Sequence, residues 1–251
     1  MGILNATPDS FYAESRMQTE RDIALRAHDI VAQGGSIIDV GGCSTRPGRP
    51  GGELPSQEEE MGRLKRALTI IRRDHPSVPL SVDTFRPDVA RMAVEEFGAD
   101  IINDVSGGNE TMFRMTARLG VPYILTSTDG NLRDMLLTMA QKVQQLRDYG
   151  QKDIILDPGF GFGKTVEENY EIMFQLEKLL VMELPILVGV SRKSMIYRLL
   201  QCTPDDSLNG TTVLNTIALM KGASILRVHD VKEAMECCKI VKSQIVQSNS
   251  L

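Results

Sequence analysis

An α/β chain closed into a (β/α)8, or TIM, barrel is the fold class this sequence predicts, and three observations carry that reading. Eight short apolar, β-branched runs alternate with longer segments of helical period from end to end. Glycines stand where a helix should hand over to the next strand. Polar and charged residues gather at the C-terminal ends of the strand runs, which is the face where a barrel builds its site. A doubly wound open sheet would use the same local pattern, but the chain shows no break at its middle, and chemistry at nearly every strand end favours a ring.

Taken in order, the first strand is predicted at Ile3 to Ala6 and the helical pattern Thr19 to Gln33 follows it, with Thr19 before Asp22 as a start signal and Gly34 as its stop. A second strand covers Ser36 to Val40. The stretch Arg46 to Gln57, rich in Pro and Gly, reads as a long loop into a helix over Glu58 to Arg72, announced by Ser56 ahead of Glu59. Strand Leu80 to Val82 leads to a helix over Pro87 to Phe97, where proline suits the first turn and Gly98 the stop. Strands Ile101 to Val105 and Tyr123 to Thr126 follow, with helix stops at Gly120 and Gly150, and then strand Ile154 to Leu156 and a helix over Val166 to Met182. Ile186 to Gly189 and Ile225 to Val228 complete the ring.

Composition limits what such a barrel can do. With 251 residues, 42% hydrophobic and 24% charged, and no apolar run long enough for a membrane span, the sequence predicts one soluble domain over residues 1–251. Its net charge of −5 offers no general attraction to nucleic acid or to an acidic membrane surface, so an anionic ligand needs a local cluster of basic groups. The four cysteines lack paired spacing, which predicts neither a disulfide framework nor a zinc site. The opening residues do not look like a signal peptide, and the cytoplasm is the expected compartment.

The strand ends supply the chemistry. Asn5, Asp39, Asp83, Asn103, Asp104, Asp157, Arg227 and His229 end the predicted strands or follow them directly, as do Ser191, Arg192 and Lys193. Carboxylates inside apolar runs need partners. A ring of carboxylates and amides suits a flat heterocycle rich in N–H donors and ring acceptors. Arg46, Lys193, Arg227 and His229, with the hydroxyls of Thr45 and Ser194, suit phosphate oxygens. Arg227 and His229 share strand parity, so both can point the same way. His28 and His75 fall in helical or loop stretches, and no function is expected of them. The run 157–165 lacks the spacing of a nucleotide-binding phosphate loop, and its Phe160 and Phe162 are expected to offer aromatic surface beside the site.

The segments 2–11, 37–48, 81–84, 101–107, 156–164, 188–194 and 227–230 resemble, in order, those of the dihydropteroate synthase family. The resemblance covers essentially the whole chain. It implies condensation of 7,8-dihydropterin-6-ylmethyl diphosphate with 4-aminobenzoate to give 7,8-dihydropteroate and diphosphate. It also implies that Asp83, Asn103, Asp157 and Lys193 hold the pterin with Arg227 stacked near it. Thr45, Arg46, Arg227 and His229 would contact the diphosphate, and Asn5 would help to bind Mg2+. Ser194, Pro47 and Phe162 would shape the aminobenzoate site, and Asp39 would act through water or its neighbours. Asp83, Asp157, Lys193, Arg227 and His229 form the expected catalytic set. Members of the family are commonly homodimers and are sulfonamide targets.

Three departures accompany the resemblance. The sequence begins at Met1-Gly2 where the family usually has a hairpin before the first motif, Cys43 stands where the family has glutamate, and Thr126-Ser127-Thr128 replaces a Met-His-Met run at the end of the fifth strand. The last is expected to remove apolar packing from the pterin site. Two other readings stay open: a pterin-binding methyltransferase barrel, and a paralogue that binds pterin without turnover.

Overall fold

The computed structural model describes residues 1–6, 20–43 and 54–248, with side chains described as far as residue 243. Six parallel strands run in sequence order: β1 (Gly2–Asn5), β2 (Ile38–Gly41), β3 (Leu80–Asp83), β4 (Ile101–Asp104), β5 (Tyr123–Thr126) and β6 (Ile154–Asp157). Strands β7 (Leu187–Val188) and β8 (Ile225–Leu226) form a parallel pair. A bridge from Leu156 to Ile186 joins this pair to β6, and one from Gly2 to Val228 joins it to β1. The ring is therefore closed. At the β1 seam the Ile3 N–H donates to Val228 O at 2.9 Å and the Val228 N–H to Met1 O at 3.0 Å.

The strands read as apolar because both faces are covered, as a parallel sheet requires. The outward residues join the helices in one large cluster that includes Leu4, Val40, Val82, Ile102, Leu125 and Leu156. The inward residues Ile101, Ile124, Ile155 and Leu187 form a separate cluster, with Met1, Ile37 and Ile225 packed against it. Side chains two positions apart on a strand share a face. One step toward the C-terminal ends from Ile37, Ile101, Ile124, Ile155 and Ile225 lie Asp39, Asn103, Thr126, Asp157 and Arg227. An apolar plug thus floors a polar mouth.

The helices are α1 (Glu20–Ala32), α2 (Gln57–Asp74), α3 (Pro87–Phe97), α4 (Glu110–Leu119), α5 (Leu132–Asp148), α6 (Val166–Phe174), α7 (Ser194–Leu199), α8 (Leu208–Met220) and α9 (Val231–Ser248). Ser56 and Glu59 make the expected reciprocal cap on α2, and Pro87 opens α3. Gly34, Gly98, Gly120 and Gly150 all have positive φ, the conformation a helix-to-strand reversal needs. Thr19 lies outside the described residues.

Some boundaries differ from the sequence reading. The second strand begins at Ile38 rather than Ser36, and β7 and β8 keep only two ladder residues each. Val166 to Met182 is not one helix: α6 stops at Phe174, and Leu176–Met182 is a 3-10 segment that ends at Glu183 with φ of 54°. Gln175, at φ −119°, leaves the helical backbone between them. Periodicity does not register this break, since both pieces place apolar residues on the core side.

A buried carboxylate fixes the third βα loop. Glu60 of α2 is fully buried and accepts from Thr84 Oγ1 at 2.7 Å, while Arg86 forms an ion pair with it. Arg86 also donates through Nη2 to Pro55 O at 2.6 Å. Removing one member of such a pair strands the other charge in a medium that cannot solvate it. Arg86→Met is therefore expected to cost about 3 kcal/mol, a fall of roughly 6 to 12 °C in Tm by thermal melting; an unchanged Tm would mean that Glu60 is solvated or neutral.

Candidate functional site

The mouth of the barrel is organised around Arg227, just beyond β8. Its Nε donates to Asp39 Oδ2 at 2.7 Å and its Nη2 to Asp83 Oδ2 at 2.8 Å, so one guanidinium serves a carboxylate from β2 and another from β3. Burial opposes its charge, but Asp39 and Asp83 outweigh burial and hold the guanidinium above its ordinary value. The sequence reading expected Arg227 near the pterin and at the diphosphate; in the structure its Nε and Nη2 pair with the acidic side of the mouth.

Asn103 of β4 donates through Nδ2 to both oxygens of the fully buried Asp39, at 3.4 and 3.3 Å. Its Oδ1 is buried without a hydrogen-bond partner, which leaves an acceptor for a ligand N–H. Burial raises Asp83 to about 7, against the pull of Arg227 and with help from the like charge of Asp39. Asp157, at the end of β6, is also raised by burial, opposed chiefly by Lys193, and its Oδ1 accepts the Gly159 N–H at 2.7 Å.

Lys193 caps the start of α7. Its Nζ lies 4.7 Å from the centre of the Phe162 ring and donates to Phe160 O, and burial lowers it to about 8 although Asp157 favours its charge. This site therefore holds a cation beside an aromatic face and a carboxylate. Phe160 does not offer the aromatic surface expected of it, because its side chain is fully buried in the core. Phe162 alone of the two meets a site residue. Ser194 is the first residue of α7 and is half-buried.

His229 is held through its backbone. Its N–H donates to Ser191 Oγ at 3.2 Å, and its carbonyl accepts from Arg26 Nη2 at 2.6 Å, while Arg26 Nε donates to Ile3 O at 3.1 Å. Thr45, Arg46 and Pro47 lie outside the described residues.

Several supporting contacts escaped the sequence reading. Arg192 makes a two-point ion pair with Asp230, 2.9 Å on each arm, and so ties the loop after β7 to the end of β8. Lys164 donates to Ser127 O and Gly159 O at 3.0 Å and to Phe162 O at 3.3 Å, tying the loops after β5 and β6 together. The signal for Lys164 was its place straight after the glycine run; nothing local marked Asp230 as the partner of Arg192. Gly159, at φ +68°, permits the approach, since a Cβ there would stand 2.0 Å from Ser127 O.

Mg2+ is a correction. Among the described residues no group of three or more His, Cys, Asp or Glu side chains is placed to hold a metal ion. Asn5 offers a single neutral amide, and Asp39 and Asp83 are engaged by Arg227. A hard divalent cation needs several oxygen ligands together. The residues present do not fit the ion, and it takes no part in the chemistry below.

The shift of Asp83 has a measurable consequence. Its ordinary value is 3.8, whereas in the folded chain it keeps its proton to about 7. Between those values the folded form binds the extra proton, so the contribution of Asp83 to stability falls as pH rises through this window and is level above it. Asp83→Asn removes the titration. Its Tm profile between roughly pH 4 and 7 should be flatter than that of the wild type, and equal slopes would show that Asp83 ionises below the window.

The pterin-binding enzyme family matches residues 1–229. The dihydropteroate synthase of Clostridium beijerinckii is 39% identical, over 96% of this chain and 91% of that protein, and the Escherichia coli enzyme is 37% identical, over 98% and 91%. Yersinia pestis dihydropteroate synthase, solved with a sulfonamide drug, superposes with a TM-score of 0.90 at 34% identity, covering 98% of this chain and 93% of that one. The Coxiella burnetii enzyme in complex with pteroic acid gives 0.86 at 33% identity, covering 97% and 91%. No helix among the described residues is long and apolar enough to cross a membrane. With the family match, the relatives and the barrel all in agreement, this chain belongs to the pterin-binding enzymes and, among them, to the dihydropteroate synthase family.

Proposed function

We propose that the barrel mouth carries out the dihydropteroate synthase reaction, joining 7,8-dihydropterin-6-ylmethyl diphosphate to 4-aminobenzoate. The observation that carries this reading is the inward polar layer in which Arg227 pairs with both Asp39 and Asp83, beside the unpartnered Asn103 Oδ1. A pterin edge presents several N–H donors to such a surface. Asp83 and Asp157 accept them, Asn103 Oδ1 accepts another, and Lys193 Nζ donates to a ring acceptor.

The bond from the pterin methylene carbon to the diphosphate oxygen breaks, and its electron pair leaves with the diphosphate. Electron release from the dihydropterin stabilises positive charge at the methylene, and the carboxylates of Asp83 and Asp157 favour that cation electrostatically. Lys193, Arg46 and His229 offset the charge of the departing diphosphate. The aminobenzoate nitrogen then forms the new carbon–nitrogen bond, between walls supplied by Pro47, Phe162 and Ser194, and its proton passes to diphosphate or water. No enzyme nucleophile is required.

Exposed Phe174, Leu180, Val181, Leu199, Val213 and Met220, on α6, the 3-10 segment, α7 and α8, support a homodimer within the same reading. Light scattering on the purified chain should give twice the monomer mass, and a monomer at micromolar concentration would remove this part of the proposal.

Diphosphate release should require both the pterin diphosphate and 4-aminobenzoate; release with either alone, or none with both, would overturn the reading. Asp83→Asn should weaken pterin binding by more than about tenfold in calorimetry, since one carboxylate oxygen becomes a donor facing ligand donors. Circular dichroism should stay unchanged, because Arg227 keeps Asp39.

A further inference from the structure

Three buried side-chain oxygens on the interior of β3, β4 and β5 have no hydrogen-bond partner: Ser81 Oγ, Asn103 Oδ1 and Thr126 Oγ1. Asn103 Oδ1 is already assigned to the pterin. Ser81 sits one inward step below Asp83, at the level of Ile101, its register partner, and faces the apolar plug. Thr126 is different. It is the last residue of β5, wholly buried, and it shares the inward parity of Ile124.

Strand order sets its neighbours. Strand β5 lies between β4 and β6, so Thr126 stands on the rim between Asn103 and Asp157, and Asp157 is its register partner. The methyl Cγ2 of Thr126 packs toward Gly159, where a built Cβ would come within 2.9 Å of it. The hydroxyl is the other branch of the side chain. A valine would fill the same volume without burying an unpaired polar atom.

We propose that Thr126 is a specificity-determining residue whose Oγ1 hydrogen-bonds the bound pterin between the contacts made by Asn103 and Asp157. This rests on the pterin reading above. The fifth-strand wall then supplies a directed polar contact rather than only missing an apolar one, and the hydroxyl that is unpartnered in the structure gains its partner from the ligand.

The test is calorimetric titration of the whole chain with a 6-substituted pterin, paired with thermal melting, for wild type, Thr126→Val and Thr126→Ser. Thr126→Val should bind about three- to tenfold more weakly, the span one neutral hydrogen bond carries, with a Tm equal to or above that of the wild type. Thr126→Ser keeps the hydroxyl and loses the methyl contact with Gly159, so it should hold affinity within about twofold while its Tm falls. A residue that only packs would move affinity and Tm together in both variants. Wild-type affinity in Thr126→Val, or an equal loss in Thr126→Ser, overturns this proposal and leaves the pterin reading standing. Failure of the wild type itself to bind pterin overturns both.

Discussion

Arg227 spans the mouth of the barrel, and the arrangement around it follows from the cost of burying charge. Asp39 is fully buried and Asp83 half-buried, each at the end of an apolar strand, where a polar side chain needs a partner. The guanidinium fork matches both at once, 2.7 and 2.8 Å away, and reaches from the last strand to the second and third. It therefore ties the second and third strands to the last across the mouth.

Charge balance repeats on the opposite side. Lys193 offsets Asp157 and is held above Phe162, and burial lowers its proton affinity to about 8. The acidic and basic halves are thus both poised near neutrality, in a site where a small change in surroundings moves a proton. A catalyst that must first favour a cation on the pterin and then release a proton from an arylamine is served by groups of that kind.

The loops that present these groups depend on contacts remote in sequence. Arg192 meets Asp230 across 38 residues, Lys164 reaches Ser127 O across 37, and Arg26 reaches His229 O across 203. Strands β7 and β8 are too short to position the end of the barrel by ladder bonds alone. Side-chain clamps complete what the backbone leaves undone. They explain why the seam holds even though it is joined to its neighbours by bridges at Gly2 and Ile186.

The fold was legible because it is written in local signals. Short apolar, β-branched runs, helical periodicity, the Ser56 and Glu59 cap, Pro87 and the left-handed glycines each act over a few residues, and they mark nearly all of the elements. The inward placement of Asp39, Asp83, Asn103 and Asp157 was legible too, since strand parity carries side chains from the apolar plug to the mouth. Pairings were not. That Arg227 turns to two carboxylates, that Phe160 sinks into the core while Phe162 meets Lys193, and that no metal-holding cluster forms among the described residues are all set by residues brought together from distant parts of the chain. Parity determines which way a side chain faces, but only closure of the ring determines what it meets, because the partner's direction depends on strand tilt and loop path rather than on neighbouring residues.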